Sequence, residues 1–221
     1  MEGTPKAFIF KGKRMIKTKK ELDYYIQADY MMNRGYFRPT IRQRLKNALL
    51  KDYIMEYIVC LRKYEYYTNQ KGWMNEFLRV FFHYKYRKLG KQLGFSIEPN
   101  VLGFGLCIPH YGTIVVGAGN RIGNYCVLHT STCVTAGNKK IGNNFYLASG
   151  AKVIRKGAIL GDNISVAANS VINGDFPKNN ILLAGNLARI IKESDAWYDR
   201  DGEMYRDRVE ACNKLYKEIY S

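Results

Sequence analysis

The sequence lacks the runs and clusters that mark several protein classes. No window approaches the roughly 18 uncharged apolar residues of a membrane-spanning helix. The charged N-terminal stretch has no apolar segment typical of a signal peptide. The five cysteines form no C-x-x-C pair and have no zinc-ligand spacing, and there are only three histidines. We therefore expect free buried thiols, no metal site and a cytoplasmic location.

Acidic residues are scarce, with 19 Asp and Glu against 35 Lys and Arg, for a net charge of +16. The excess is concentrated in residues 1–94, which hold 21 basic and 8 acidic residues. Such a surface suits an anionic glycan or the inner face of an anionic membrane, which would make the protein peripheral there. No nucleic-acid recognition motif accompanies the charge, so nucleic acid is not an expected partner.

The chain divides into three regions. Residues 1–94 form a basic helical segment, because apolar residues recur near a 3.6-residue period over 40–67 and again over 75–94. Residues 95–192 are richer in glycine and poorer in charge, and there the helical period disappears. Residues 193–221 return to an amphipathic pattern, which predicts a C-terminal helical tail.

A six-residue period replaces the helical one in the middle region. Nine aliphatic positions mark it, and each is followed by polar or turn-forming residues; they are Ile122, Leu128, Val134, Ile141, Leu147, Val153, Leu160, Val166 and Ile172. This period is typical of a hexapeptide β-helix, in which three short strands make one triangular coil and the aliphatic side chain points inward.

The stretch "HYGTIVVG" at residues 110–117, the hexapeptides, and "AGNLARII" at 184–191 carry a family resemblance. Together they resemble the serine acetyltransferase branch of the hexapeptide acyltransferases, in particular the shorter members found with surface-polysaccharide genes. The resemblance implies a left-handed parallel β-helix behind N-terminal helices. It also implies a homotrimer that binds acetyl-CoA in the clefts between subunits.

His110 is the candidate catalytic residue. The resemblance implies that it takes the proton of an acceptor hydroxyl, which then attacks the thioester directly. Neutral imidazole is well matched to that role near neutral pH. The sequence has no G-x-S-x-G elbow and no cysteine placed as a nucleophile, which fits a mechanism without a covalent intermediate.

Further site residues follow from the resemblance. For the acceptor site they are His129, Glu98 and Tyr146, with Glu98 or a backbone carbonyl as alternatives for orienting His110. His129 could equally be an ordinary surface histidine. For acetyl-CoA they are small residues on successive coils and two cations, namely Ala136, Gly137, Ser149, Gly150, Ala167, Ala168, Ala184, Gly185, Arg189 and Lys192.

The chain departs from the serine-specific pattern. Pro109 stands where that pattern has an aspartate before the histidine, and Ser96 stands near a second one. The short "TAGNKKIG" has no Arg-His pair to bind a carboxylate. We therefore expect an acetyl-CoA-dependent O-acetyltransferase acting on a saccharide hydroxyl in polysaccharide biosynthesis. The alternatives are a serine O-acetyltransferase and a non-catalytic trimeric scaffold.

Overall fold

The computed structural model describes residues 15–220. Four helices come first: α1 (Lys19–Arg34), α2 (Ile41–Leu49), α3 (Tyr53–Thr68) and α4 (Trp73–Leu93). The helical pattern of residues 40–67 is divided between α2 and α3, because the Asp52 carboxylate caps the start of α3 by accepting from the Met55 N–H at 3.1 Å. Residues 1–14 of the predicted helical segment lie outside the described residues.

Thirteen short strands follow in the described part of the chain. They are β1 (Phe95–Ile97), β2 (Ile114–Val116), β3 (Arg121–Ile122), β4 (Val127–Leu128), β5 (Thr132–Val134), β6 (Lys140–Ile141), β7 (Tyr146–Leu147), β8 (Lys152–Val153), β9 (Ile159–Leu160), β10 (Ile164–Val166), β11 (Val171–Ile172), β12 (Ile181–Ala184) and β13 (Arg189–Glu193). From β2 to β11, each strand pairs in parallel with the strand three further along the chain. At the two ends, β1 pairs in parallel with β2 and β12 with β10, and β13 returns antiparallel to β12. The result is a three-sided parallel β-helix, as the sequence predicts.

The three faces are distinct sheets. Sheet A has the order β1-β2-β5-β8-β11, sheet B has β3-β6-β9, and sheet C has β13-β12-β10-β7-β4. The nine aliphatic positions of the hexapeptide pattern all lie inside, and none is more than 2% exposed. Stacking these side chains in successive coils forms one continuous core, which explains why the period is kept so strictly.

Asparagines close the corner between sheets B and C. Asn144, Asn163 and Asn180 all have φ near +58°, the left-handed region that asparagine tolerates better than most residues. Asn144 donates to Asn163 at 2.7 Å, and Asn163 donates to Asn180 at 2.6 Å. These two side-chain hydrogen bonds link three successive coils at the corner where the chain turns.

A buried ion-pair network fastens the helices to the first coil. The Arg62 guanidinium of α3 is fully buried and contacts the carboxylates of Asp29 at 2.8 Å and Glu65 at 3.0 Å. It also donates to the carbonyl oxygens of Leu102 and Gly103, at 3.1 and 2.6 Å. Because a buried charge needs such partners, the network fixes where α1 and α3 sit on the β-helix.

Two C-terminal helices, α5 (Trp197–Arg200) and α6 (Glu203–Tyr220), follow the β-helix. Cys212 of α6 and Trp197 of α5 are buried with Tyr24 of α1 and Val127 of sheet C in a second hydrophobic cluster. The outer face of sheet C is therefore partly covered by helices. Between residues 15 and 220, no helix combines the length and the apolar character needed to cross a bilayer.

Candidate active site

His110 lies exposed in the loop that joins the last residues of sheet C in the first coil to β2. The segment before it is held by Asn33 of α1. The Ile108 N–H donates to the Asn33 side-chain oxygen at 2.9 Å, and the Asn33 amide donates to the Leu106 carbonyl at 2.6 Å. Residues 106–108 belong to the first coil of sheet C. On the side where that sheet has no further strand among the residues that the structure describes, the Asn33 side chain supplies the hydrogen bonds that a neighbouring strand would otherwise supply.

The other end of the loop is held by α4. The Gly112 N–H donates to the Leu93 carbonyl at 3.0 Å, and the Ile114 N–H donates to the Gly94 carbonyl at 3.0 Å. Gly112 has φ +136°, and a Cβ there would meet the Thr130 side chain at 3.2 Å. Glycine is therefore required for the loop to close between α4 and the next coil. His110 is exposed, but its backbone is held on both sides.

His129 is half-buried, and its ring lies 5.0 Å from that of Tyr146. Burial lowers the pKa of His129 below its usual 6.5, and a positive charge on His110 lowers it further. The two imidazoles are therefore electrostatic neighbours. The structure brings His110, His129 and Tyr146 to one end of sheet C.

Arg200 also lies beside Tyr146, and the sequence patterns did not predict it as a site residue. Its guanidinium carbon lies 4.8 Å from the centre of the Tyr146 ring, and its Nη1 donates to Ser165 Oγ at 3.1 Å. Trp197, on the same short helix, donates from Nε1 to the Tyr125 carbonyl at 3.0 Å. The charged segment around these residues has no periodicity that would place it on sheet C, so only the folded chain reveals the contact.

The small residues expected to contact CoA lie at two different corners. Ser149, Gly150, Ala167, Ala168, Ala184 and Gly185 stack at the corner between sheets C and A, which we call the His110 corner. The Gly150 N–H donates to the Thr130 carbonyl at 3.0 Å, and the Asn169 N–H donates to the Ser149 carbonyl at 2.9 Å, so the corner continues from coil to coil. Ala136 and Gly137 lie instead at the corner between sheets A and B.

Glu98 also lies at the corner between sheets A and B. Its N–H donates to the Val116 carbonyl at 2.9 Å, at the end of β2, whereas His110 precedes the start of β2. A full strand separates the two residues within one chain. The structure does not bring Glu98 to His110, so it gives no support to the expectation that Glu98 orients His110.

Arg189 and Lys192 are exposed on β13. In the hairpin with β12, Arg189 pairs with Ala184 and Lys192 pairs with Leu182. Arg189 therefore lies across from the upper end of the His110 corner. A cation in that position is available to an anionic group that follows the corner.

The corner formed by "TAGNKKIG" is compact. The buried Lys139 ammonium donates to the Thr135 carbonyl at 2.6 Å, to Thr135 Oγ1 at 3.0 Å and to the Ala136 carbonyl at 3.2 Å. Burial lowers the pKa of this lysine. The Lys139 ammonium therefore makes its hydrogen bonds to residues of its own turn and stabilises that turn.

A cavity of about 510 Å³ opens beside Tyr111, the residue after His110. It lies where the α2–α3 junction meets the end of α4, and it is lined by Lys51, Asp52, Tyr53, Ile54, Gln92, Leu93 and Tyr111. Its carboxylate, Asp52, forms a salt bridge with Arg34 at 2.5 Å, which lowers the Asp52 pKa. Hydrogen-bonding groups and aromatic rings thus line a cavity of ligand size next to the His110 loop.

Solved serine acetyltransferases resemble this structure. The enzyme from Brucella abortus strain S19 aligns with a TM-score of 0.57 and 25% identity, over 79% of this chain and 69% of that one. The same enzyme in complex with coenzyme A aligns with a TM-score of 0.54 and 22% identity, over 79% of this chain and 68% of that one. The Neisseria gonorrhoeae enzyme aligns with a TM-score of 0.55 and 19% identity, over 80% of this chain and 69% of that one. No protein-family model and no curated sequence matches the chain.

The chain has the fold of the hexapeptide-repeat acyltransferases. The family resemblance carried by the sequence motifs is confirmed, as are the predicted left-handed β-helix with flanking helices and the acyltransferase class. Among residues 15–220, no group of three or more His, Cys, Asp or Glu side chains could hold a metal ion.

Proposed function

We propose that this acyltransferase transfers an acetyl group from acetyl-CoA to a hydroxyl of a saccharide, a step of surface-polysaccharide biosynthesis, with His110 as general base. The observation that carries the proposal is the His110 loop. An exposed imidazole lies on a backbone that α1 and α4 hold at both ends, beside a continuous corner of small residues. A general base needs both access to substrate and a fixed position.

The reaction needs no covalent enzyme intermediate. Neutral His110 accepts the proton of the acceptor hydroxyl while the oxygen bonds to the thioester carbonyl carbon. In this proposal the Ser149 N–H donates to the developing oxyanion. The tetrahedral intermediate then collapses, the C–S bond breaks, and the departing CoA thiolate takes the proton back from His110. The products are the acetyl ester and CoA, and the imidazole returns to its neutral form.

The donor site is proposed at the His110 corner, where small side chains let an extended pantetheine arm approach the backbone. Two of the structurally similar serine acetyltransferases are complexes with coenzyme A, which supports a CoA thioester as donor. Ala136 and Gly137 lie at a different corner of the same chain. This arrangement favours a homotrimer whose cleft is formed by the His110 corner of one subunit and the Ala136 corner of the next.

The cavity beside Tyr111 is the proposed acceptor site. Its volume accommodates a sugar ring, and Asp52, Lys51 and Gln92 offer hydrogen bonds to hydroxyls while Tyr53 and Tyr111 offer ring faces. Tyr146 and His129 do not line this cavity. An acceptor carried on a lipid or part of an anionic glycan fits the basic helical segment.

Serine is the second candidate acceptor, because the neighbours with TM-scores above 0.5 include several serine acetyltransferases. The turn "TAGNKKIG" itself contains no arginine to pair with the carboxylate of a free amino acid, and the Lys139 ammonium is held by backbone carbonyls. This favours an acceptor other than a free amino acid. A trimeric scaffold that binds CoA without turnover is the remaining alternative.

The test is release of CoA thiol from acetyl-CoA in the presence of L-serine or of a panel of mono- and disaccharides. The proposal predicts release with a sugar and none above background with serine. Replacing Tyr111 by Ala should raise the KM for the sugar about tenfold or more and leave the KM for acetyl-CoA unchanged. Release with serine alone would establish the serine reaction, and CoA binding with no release on any acceptor would establish the scaffold.

A further inference from the structure

The first half of α4 presents a line of large apolar side chains to solvent. It consists of Trp73, Met74, Phe77, Val80, Phe81 and Tyr84, which we call the α4 stripe. Trp73 is 79% exposed and Phe77 is 65% exposed. The opposite face of the same helix carries Tyr86, Leu89 and Leu93, which are buried against the rest of the protein. Packing within the chain therefore does not account for the stripe.

Cations surround the stripe. The helix Trp73–Leu93 contains five Lys or Arg residues and one acidic residue, Glu76, whose carboxylate forms a salt bridge with Arg79. Lys85 Nζ lies 5.8 Å from the centre of the Phe81 ring. Lys71, Arg87, Lys88 and Lys91 are exposed on or just before the same helix. An apolar stripe with cationic flanks is typical of helices that lie in the interface of anionic membranes.

We propose that the α4 stripe docks this protein on an anionic lipid surface. The charge decides between this partner and a second copy of the chain. Helix α4 itself holds five basic residues and one acidic residue, so pairing two such helices would place like charges together. A soluble anionic glycan would neutralise the cations but would leave the apolar side chains in water. A bilayer with anionic headgroups satisfies both features.

Docking through α4 also has a consequence for the active site. The Leu93 carbonyl at the end of this helix holds the His110 loop through Gly112. A helix lying in the plane of the interface keeps its two ends at similar depth. The His110 loop is then held beside the headgroups, where the saccharide of a lipid-linked acceptor is found. This extends the proposed function, but the docking itself requires neither donor nor acceptor.

Tryptophan fluorescence tests the proposal directly, because the chain has only two tryptophans and Trp197 is 1% exposed. We expect vesicles containing phosphatidylglycerol to shift the emission to the blue and to sediment the full-length protein. Vesicles of phosphatidylcholine alone should do neither, and 0.5 M salt should weaken binding. The Trp73→Phe variant should sediment with the vesicles but show no shift, which assigns the signal to the stripe.

The Phe77→Ser/Phe81→Ser double variant should bind the anionic vesicles about a hundredfold more weakly, because two large aromatic side chains no longer leave water. Ile191→Ser, which removes a 58% exposed apolar residue on β13, is the matched control and should bind like wild type. Acetyl transfer to a soluble sugar is measured separately, so catalysis and docking can fail independently. Equal binding of the double variant, equal binding to neutral vesicles, or a shift that grows with protein concentration in the absence of lipid would overturn the proposal.

Discussion

The Asn33 side chain accepts a hydrogen bond from the Ile108 N–H at 2.9 Å, and through it helix α1 holds the segment that ends in His110. Asn33→Ala removes this bond and the one to the Leu106 carbonyl. We expect a loss of about 1–3 kcal/mol in the free energy of unfolding, because two backbone groups are left without that partner. We also expect kcat to fall about 10- to 100-fold through displacement of His110. Urea unfolding and steady-state kinetics measure the two effects.

A suitable control for Asn33 is Asn69→Ala. Asn69 also bridges distant backbone, donating to the Ile16 carbonyl at 3.2 Å, but it has no bond to the His110 loop. The control should lose stability and keep kcat. If Asn33→Ala kept wild-type kcat while its stability fell, Asn33 would have no role in positioning His110.

His129 should titrate below the usual pKa of 6.5, because burial and the nearby positive charge of His110 both disfavour its charged form. Replacing His110 by Gln should move the His129 pKa back toward that value. NMR titration of the imidazole C–H signals measures both. An unchanged His129 pKa in the His110 variant would show that the two rings do not interact.

The same shift has a consequence for stability. The unfolded chain binds a proton on His129 at pH values where the folded chain does not. The stability that neutral His129 contributes is therefore complete above pH 6.5 and is lost as the pH falls from there toward the lower folded-state pKa. His129→Gln should lose less stability than wild type between pH 7.5 and 5.5, as measured by urea unfolding. An equal loss would contradict the assignment.

Arg62→Met should unfold the protein readily, because it leaves the Asp29 and Glu65 carboxylates buried without their cation. The expected cost is about 3–5 kcal/mol, measured by thermal or urea unfolding. Neutralising all three side chains together, with Asp29→Asn and Glu65→Gln added, should recover part of the loss. Arg79→Met, which breaks the exposed pair with Glu76, should have no measurable effect. Equal stability of the two single variants would contradict the proposed role of the buried network.

The β-helix could be predicted because its core repeats. Each coil places an aliphatic side chain such as Leu147 or Val166 at the same inward position, so a local pattern carries the fold. The candidate active site was harder to predict from the sequence. The sequence pointed to His110 by its motif, and to His129 and Tyr146 as neighbours. It could not show that Glu98 lies beyond the far end of β2, because that depends on which corner each turn occupies.

Contacts between residues far apart in the chain could not be predicted from the sequence either, because they too depend on how the folded elements are placed. Asn33, 75 residues from Ile108, lies in an ordinary helical pattern, and its bond exists only once α1 lies against the first coil. Arg200 reaches Tyr146 only because Trp197 anchors its short helix against sheet C. No periodicity encodes such contacts. They depend on how the helices pack on the β-helix.

The most direct test of the account compares CoA release by His110→Gln and His129→Gln, with the sugar that gives the fastest release in the wild type. The account predicts that His110→Gln lowers kcat by at least about a hundredfold, since the general base is lost, and keeps the KM for acetyl-CoA. His129→Gln should retain most of the turnover. Wild-type turnover in His110→Gln together with loss in His129→Gln would contradict the account and make His129 the base.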